Sequence, residues 1–146
     1  MPFMTPFPHR YVVSLTQDAA SNAILVAPPR PAIAGGPPPE FGGNAEWWSP
    51  EHLLLSAASL CLMTTFQALA KRAHLDVHKY TGTVDGVLDK TPEGLVFTSI
   101  THRVRIVVGP EQIAKAQEVI GSAKKHCIVS NSLKTPVTVE ADVCTG

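Results

Sequence analysis

Cys61 and Cys127 are the residues of this 146-residue chain best suited to covalent chemistry. A cysteine reacts as its thiolate, so it must be reachable, and cations or hydrogen-bond donors must lower its pKa. Cys61 stands in the middle of SPEHLLLSAASLCLMTTFQALAKR, Ser49 to Arg72. Apolar surroundings raise a thiol's pKa, so read locally Cys61 is a core residue unless a cation or donors reach it. Cys127 follows Lys124, Lys125 and His126 in HCIVSN. A protonated His126 at a helix C-terminus is favoured by the dipole and lowers the pKa of the thiol beside it; its alternative role is to cap the last carbonyls. The two cysteines are 66 positions apart, so only the fold can bring them together. Cys144, two residues from the end, reads as frayed. Three widely spaced cysteines without a CxxC pair make neither a disulfide framework nor a zinc site. His74, His78 and His102 are read as structural.

The elements that must position these thiols can be read from capping and periodicity. Ser49 suits a helix cap, Pro50 the first helical position and Glu51 the positive end of the dipole. Leu53 to Met63 is apolar or small nearly all round, which marks a helix as buried or membrane-spanning. The run falls short of the roughly 20 residues a bilayer needs, and Ser56 and Ser59 interrupt it, so burial is expected. Before it, Tyr11–Leu15 and Ala23–Ala27 read as a strand pair around the polar turn Thr16–Asn22. Pro28–Gly43, with six prolines, reads as an irregular covering loop anchored by Trp47 and Trp48.

After the helix, Val77–Leu88 and Leu95–Val108 read as a long hairpin around the turn DKTPEG. Val96, Thr98, Ile100, His102, Val104, Ile106 and Val108 are expected on its buried face. Gly109-Pro110-Glu111 starts a second helix with the stripe Ile113, Ala116, Ile120 and Ala123, whose extension reaches Cys127. A short turn follows, with Ser130 and Asn131 as caps, and a last strand, Val137–Val143. The order β-β-α-β-β-α-β predicts an α+β fold with two main helices on antiparallel or mixed sheets. Residues 1–10 read as a flexible arm and 11–146 as one domain.

Three stretches resemble the OsmC/Ohr family of thiol peroxidases, in its OsmC-like branch. PPPEFGG (Pro37–Gly43) is similar to the family's proline-rich loop, SPEHLLLSAASLC (Ser49–Cys61) to its reactive-cysteine helix, and HCIVSNSLKTPV (His126–Val137) to its second-cysteine motif. The resemblance implies an intertwined homodimer that reduces organic hydroperoxides, or hydrogen peroxide. It implies that Cys61 is the peroxidatic residue and becomes a sulfenic acid, that Cys127 closes a disulfide with it, and that a dithiol of the lipoyl type restores both thiols. No metal or organic cofactor is implied. Glu51 matches the Glu that holds a catalytic Arg in the family. The Arg slot itself is empty here: QDAASN and PEFGGNAEWW contain none, and Arg30 is the better of the two candidates before the helix, Arg10 being the other. The thiolate would then rest on helix-end amides or on His126. Phe41, Trp48, Met63 and Phe66 are candidates to line an apolar peroxide pocket.

Composition narrows the alternatives. Charged residues are 16% of the chain, which leaves little surface for water and points to a large oligomeric interface. Net charge is zero with no basic block, so neither nucleic acid nor an anionic membrane is expected as a partner. The start, MPFMTPFPHR, does not read as a secretory signal, and a reducing, cytoplasmic setting is expected. Two further readings stand beside the enzyme: a module of the same fold that holds a small apolar or thiol ligand without turnover, and a dimerisation domain whose cysteines are only core.

Overall fold

The computed structural model describes residues 5–19 and 22–146. Residues 1–4 of the expected arm, and Ala20 and Ser21 of the first turn, lie outside the described residues. The chain divides into two compact units, residues 1–53 and 54–146, and the longest helix crosses the boundary.

The first unit is a three-stranded antiparallel sheet of β1 (Ser14–Gln17), β2 (Ala23–Val26) and β3 (Ile33–Gly35), in that order. Two expectations are corrected here. The first strand lies further along than Tyr11–Leu15, because β2 offers four partners, Ala23 to Val26, and these pair with Gln17 back to Ser14. The proline-rich stretch is not wholly irregular. No proline falls within Ile33–Gly35, so its amides stay free to join the sheet edge beside β2. Pro39–Phe41 forms one turn of 3-10 helix, ended by Gly42 at φ 83°.

The tryptophans anchor this stretch as expected. The Gly36 N–H donates to the Trp48 carbonyl at 2.9 Å and the Trp48 N–H to the Ala34 carbonyl at 3.1 Å. At Gly43 a Cβ would sit 1.6 Å from the Pro37 carbonyl oxygen, so only glycine lets the two backbones meet.

Helix α1 (Pro50–Arg72) begins as its sequence suggests. The buried Ser49 Oγ accepts the His52 N–H at 3.1 Å, satisfying one of the amides that a helix start leaves free. The second unit continues with β4 (Val77–Thr91), β5 (Gly94–Val108), α2 (Ile113–His126), the single turn α3 (Ile128–Asn131) and β6 (Val137–Thr145). β4 and β5 are antiparallel and β6 runs parallel to β5, so the sheet is mixed. Its core joins Leu62, Phe66 and Ala70 of α1, Val104, Ile106 and Val108 of β5, and Ala116, Val119, Ile120 and Ala123 of α2. Ile113 is 37% exposed, and Val119 takes the place expected of it in the stripe.

The buried face of β5 is shorter than strict alternation predicts. Ile100, His102, Val104, Ile106 and Val108 are buried, whereas Val96 and Thr98 are exposed. The register steps from Val87↔Ser99 to Leu88↔Phe97, which leaves Thr98 as the extra residue of a bulge. The bulge exchanges the faces, and Phe97, not Val96, turns inward. It meets the space above Gly86, where a Cβ would lie 2.7 Å from Leu55 and 3.0 Å from the Phe97 ring.

Helix α1 is apolar all round but not buried all round. Ala58, Leu62, Phe66 and Ala70 form one buried stripe at four-residue spacing, while Leu60 is 60% exposed. At 23 residues it is longer than its most apolar stretch suggests, and by length and composition it could cross a bilayer, as many core helices could.

His102 is 1% exposed, and its Nε2 has no partner among the described residues. Burial disfavours the imidazolium and lowers the pKa below the usual 6.5. The unfolded chain therefore takes up a proton here before the folded chain does, and stability is lost as pH falls through the unfolded value. Denaturant titrations between about pH 7.5 and 5 are expected to show that loss, and His102→Gln to flatten it.

Candidate functional site

Both thiols sit in the second unit, and the fold brings them together. Cys61 lies midway along α1, half-buried and packed against the core cluster that contains Cys127. Cys127 is the joint between α2 and α3. Its extended backbone, φ −68° and ψ 109°, stops one helix and caps the next. Because it continues the buried stripe of α2, its side chain enters the core and is 1% exposed. Both are free thiols.

Their environments push them in opposite directions. Burial raises the Cys61 pKa, but donors outweigh it: the Val129 N–H, the Cys127 thiol, the Thr65 hydroxyl and the Ile128 N–H. The result lies below the ordinary thiol value of 9.0. The two amides open α3, where a helix leaves its N–H groups unpaired and its dipole favours negative charge. Cys127 moves the other way. Burial raises its pKa, the side chain and backbone of Ser130 lower it in part, and the neighbouring Cys61 raises it further. The site thus holds one accessible thiol poised to ionise and one buried thiol kept protonated beside it.

The remaining candidates take varied places. His126 is exposed, and its Nδ1 bonds the Ser122 carbonyl at 2.9 Å, which is the capping role. The Asn131 side chain caps α2, donating to the Lys125 carbonyl at 3.0 Å. Ser130, expected as a cap, instead serves the Cys127 sulfur. His74 and His78 are four residues apart, a ligand spacing on a helix, but α1 ends at Arg72 and His78 lies in β4, 2.9 Å from Asp76. Among the described residues no cluster of metal-binding side chains occurs.

Met63 lines an open groove of about 340 Å³ with Ser56, Ser59, Leu60, Tyr80 and Val84. Phe66 is fully buried, its ring 5.5 Å from that of Tyr80. Glu51 holds its Oε1 buried without a partner among the described residues. In the first unit, Trp48 lines an apolar cavity of about 220 Å³ with Leu15, Leu25, Pro50 and Leu53, and Phe41 is exposed in the 3-10 turn. Arg30 is exposed, and its guanidinium folds back on the Ala27 carbonyl at 3.4 Å. Among the described residues, no guanidinium or ammonium is one of the groups that lower the Cys61 pKa. Arg103 pairs with Asp85 and Glu140, and Arg105 with Asp142.

Three residues of the site were not singled out for these roles by their sequence. Thr65 stands four residues after Cys61 and Ser130 three after Cys127, spacings that place a hydroxyl beside a sulfur on a helix. Tyr80 had no such signal, since only the packing of β4 on α1 sets its ring against Phe66.

A family model described as OsmC-like protein matches residues 43–142, which includes both cysteines. The YmaD protein of Bacillus subtilis is 24% identical over 109 residues, 72% of this chain and 73% of its own length. An OsmC-like protein of unknown function from Vibrio cholerae has a similar structure, with a TM-score of 0.83 at 19% identity, over 92% of this chain and 99% of that one. An organic hydroperoxide resistance protein OsmC from Legionella pneumophila aligns with a TM-score of 0.75 at 19% identity, over 95% of this chain and 99% of its own. One from Elizabethkingia anophelis does so with 0.74 at 20%, over 96% and 100%. Since the matched residues span most of the chain and hold both thiols and the elements that carry them, the protein belongs to the OsmC-like family.

Proposed function

We propose that the protein reduces organic hydroperoxides by a two-cysteine cycle. The observation that carries this reading is the unequal pair: an accessible Cys61 whose thiolate is stabilised by donors, beside a buried Cys127 that stays protonated. The Cys61 thiolate attacks the terminal oxygen of the peroxide. The S–O bond forms as the O–O bond breaks, and the departing alkoxide takes a proton and leaves as alcohol. Cys127 then gives up its proton and attacks the sulfenic sulfur, the S–S bond forms, and the displaced hydroxide leaves as water. A small dithiol, lipoyl-type in keeping with the resemblance, returns both thiols by exchange and is itself oxidised to a disulfide.

The cycle needs no metal or organic cofactor, and it suits a reducing, cytoplasmic compartment. A homodimer fits two features. Ten residues of helix rise about 15 Å, so Glu51 cannot reach Cys61 of its own helix, but two antiparallel copies of α1 bring each Glu51 toward the other's thiol. Leu60, 60% exposed midway along α1, is an apolar side chain that such a pairing buries. The test is one equivalent of cumene hydroperoxide added to the reduced protein. Two thiols should be lost together, with a Cys61–Cys127 disulfide found by peptide mapping and reversed by dihydrolipoamide. Retention of both thiols overturns the proposal.

One observation favours a second reading. No cation is among the described groups that lower the Cys61 pKa, which favours a site that holds a small apolar or thiol ligand over one that accelerates peroxide cleavage. In that case ligand protects Cys61 from alkylation while peroxide is not consumed.

A further inference from the structure

The two-cysteine cycle makes no use of the open groove between α1 and α2. The two helices run antiparallel. Cys61 meets Cys127 at one end. Twelve residues away in each, the Lys115 ammonium donates to the Ala73 carbonyl at 3.0 Å. Between these ends lies a groove of about 480 Å³. Leu69, Ala73 and Val119 give it an apolar floor, and Arg72, Lys115, Glu118 and Ser122 a polar rim. One helical stripe joins it to the thiols. Cys61, Thr65, Leu69 and Arg72 follow at steps of four, four and three, the spacing of a single helix face. Thr65 already donates to Cys61, and Ser122 stands five residues before Cys127.

The charge on the rim says what the groove would hold. Arg72 is exposed and, among the described residues, pairs with no carboxylate, whereas Arg103 and Arg105 both do. The helix dipole favours a cation at this end of α1, but Lys71 meets that need without lining the groove. A free guanidinium above an apolar floor is a fork that fits a carboxylate on an apolar chain. Lys115 adds positive charge, and Glu118 is the one carboxylate that opposes it on the rim. Length is fixed as well. Arg72 comes eleven residues after Cys61, a rise of about 16 Å, and its side chain leans back along the helix, which leaves about 10 Å to the level of the thiol. A saturated chain of about eight carbons spans that gap. The Lys115–Ala73 contact closes the groove beyond it, so a long acyl chain does not fit.

We propose that this groove seats the reductant, a short saturated acid whose carboxylate Arg72 clamps and whose dithiol end meets the Cys61–Cys127 disulfide. The proposal rests on the cycle above. One thiolate of the ligand attacks the disulfide, forms a mixed disulfide and releases one cysteine, which takes a proton. The second ligand thiol gives up its proton, attacks the mixed disulfide and closes a cyclic disulfide. The other cysteine leaves and takes that proton. The protein gains two electrons and the ligand loses two.

The test compares dihydrolipoate with dihydrolipoamide, whose thiols are alike and whose far ends differ in charge, as reductants of the Cys61–Cys127 disulfide. At low salt and below saturation the acid should react about five-fold faster, the upper size of an exposed ion pair, and about 0.5 M sodium chloride should erase the difference. Arg72→Gln should bring the acid down to the amide. Glu118→Gln should widen the preference about two-fold, a gain that a merely structural role does not produce. A second readout needs no redox chemistry. Octanoate should protect Cys61 of the reduced protein from iodoacetamide better than octanamide does, and Arg72→Gln should remove that difference.

Equal rates for acid and amide, with equal protection by the two octanoyl probes, overturn the inference and leave the peroxidase reading standing. Arg72-dependent protection by octanoate in a protein that ignores peroxide does the reverse: the carboxylate site holds, and the peroxidase reading fails. A third result reassigns the groove. If Arg72→Gln slows oxidation of Cys61 by a carboxylate-bearing hydroperoxide, spares its methyl ester and leaves both reductant rates alone, the groove serves the peroxide and the assignment to the reductant is overturned.

Discussion

Replacing Cys61 with serine is expected to reduce peroxide consumption to the level of buffer. The reaction needs a soft, ionisable nucleophile at that position, and a serine hydroxyl stays protonated under donors that suffice for a thiol. The amides of Ile128 and Val129 and the hydroxyl of Thr65 remain in Cys61→Ser, so the variant isolates the sulfur from its surroundings. The residue is only half-buried and the change is nearly isosteric, so stability should move by no more than about 1 kcal/mol. Circular dichroism melts and a coupled peroxide assay check the two halves. Activity within a few-fold of wild type would remove Cys61 from the chemistry.

The second large effect is expected at Cys127. Cys127→Ser should consume one equivalent of peroxide per chain at close to the wild-type rate and then stop when no thiol is added. The new hydroxyl can still donate to the Cys61 thiolate, so the first step keeps its support. It cannot attack the sulfenic acid to form a disulfide, so that acid accumulates and dimedone should trap it, seen as a mass increase on the Cys61 peptide. Loss of the first equivalent in both variants alike would contradict the separate roles. The pair also separates the enzyme from a ligand-binding module, which consumes no equivalent in either.

Much of the site was legible because its signals are local. Ser49, Pro50 and Glu51 mark a helix start by residue type alone, and the α2 stripe extended by one step points to Cys127. The helix-end amides, raised as support for Cys61 once the Arg slot stood empty, are among the groups that lower its pKa, with the Cys127 thiol and the Thr65 hydroxyl. What remained illegible depends on tertiary context. β3 lies hidden among prolines because a three-residue strand has no periodicity to detect, and it forms because β2 presents an edge. The bulge at Thr98 inverts the inward face of β5, and no residue type announces it. Tyr80 reads as one more β-former until the packing of α1 on the sheet sets its ring on Phe66 and buries its hydroxyl.

Position 127 as the joint between α2 and α3 has a mechanical consequence. A covalent bridge from there to mid-α1 closes a ring of 67 residues that contains β4, β5 and α2. Restricting so long a loop in the denatured ensemble corresponds to about 4 kcal/mol in the chain-entropy description. In the proposed cycle oxidation would thus weld the second unit together and reduction loosen it, and resistance to urea is expected to rise after one equivalent of peroxide and to fall again with dithiol.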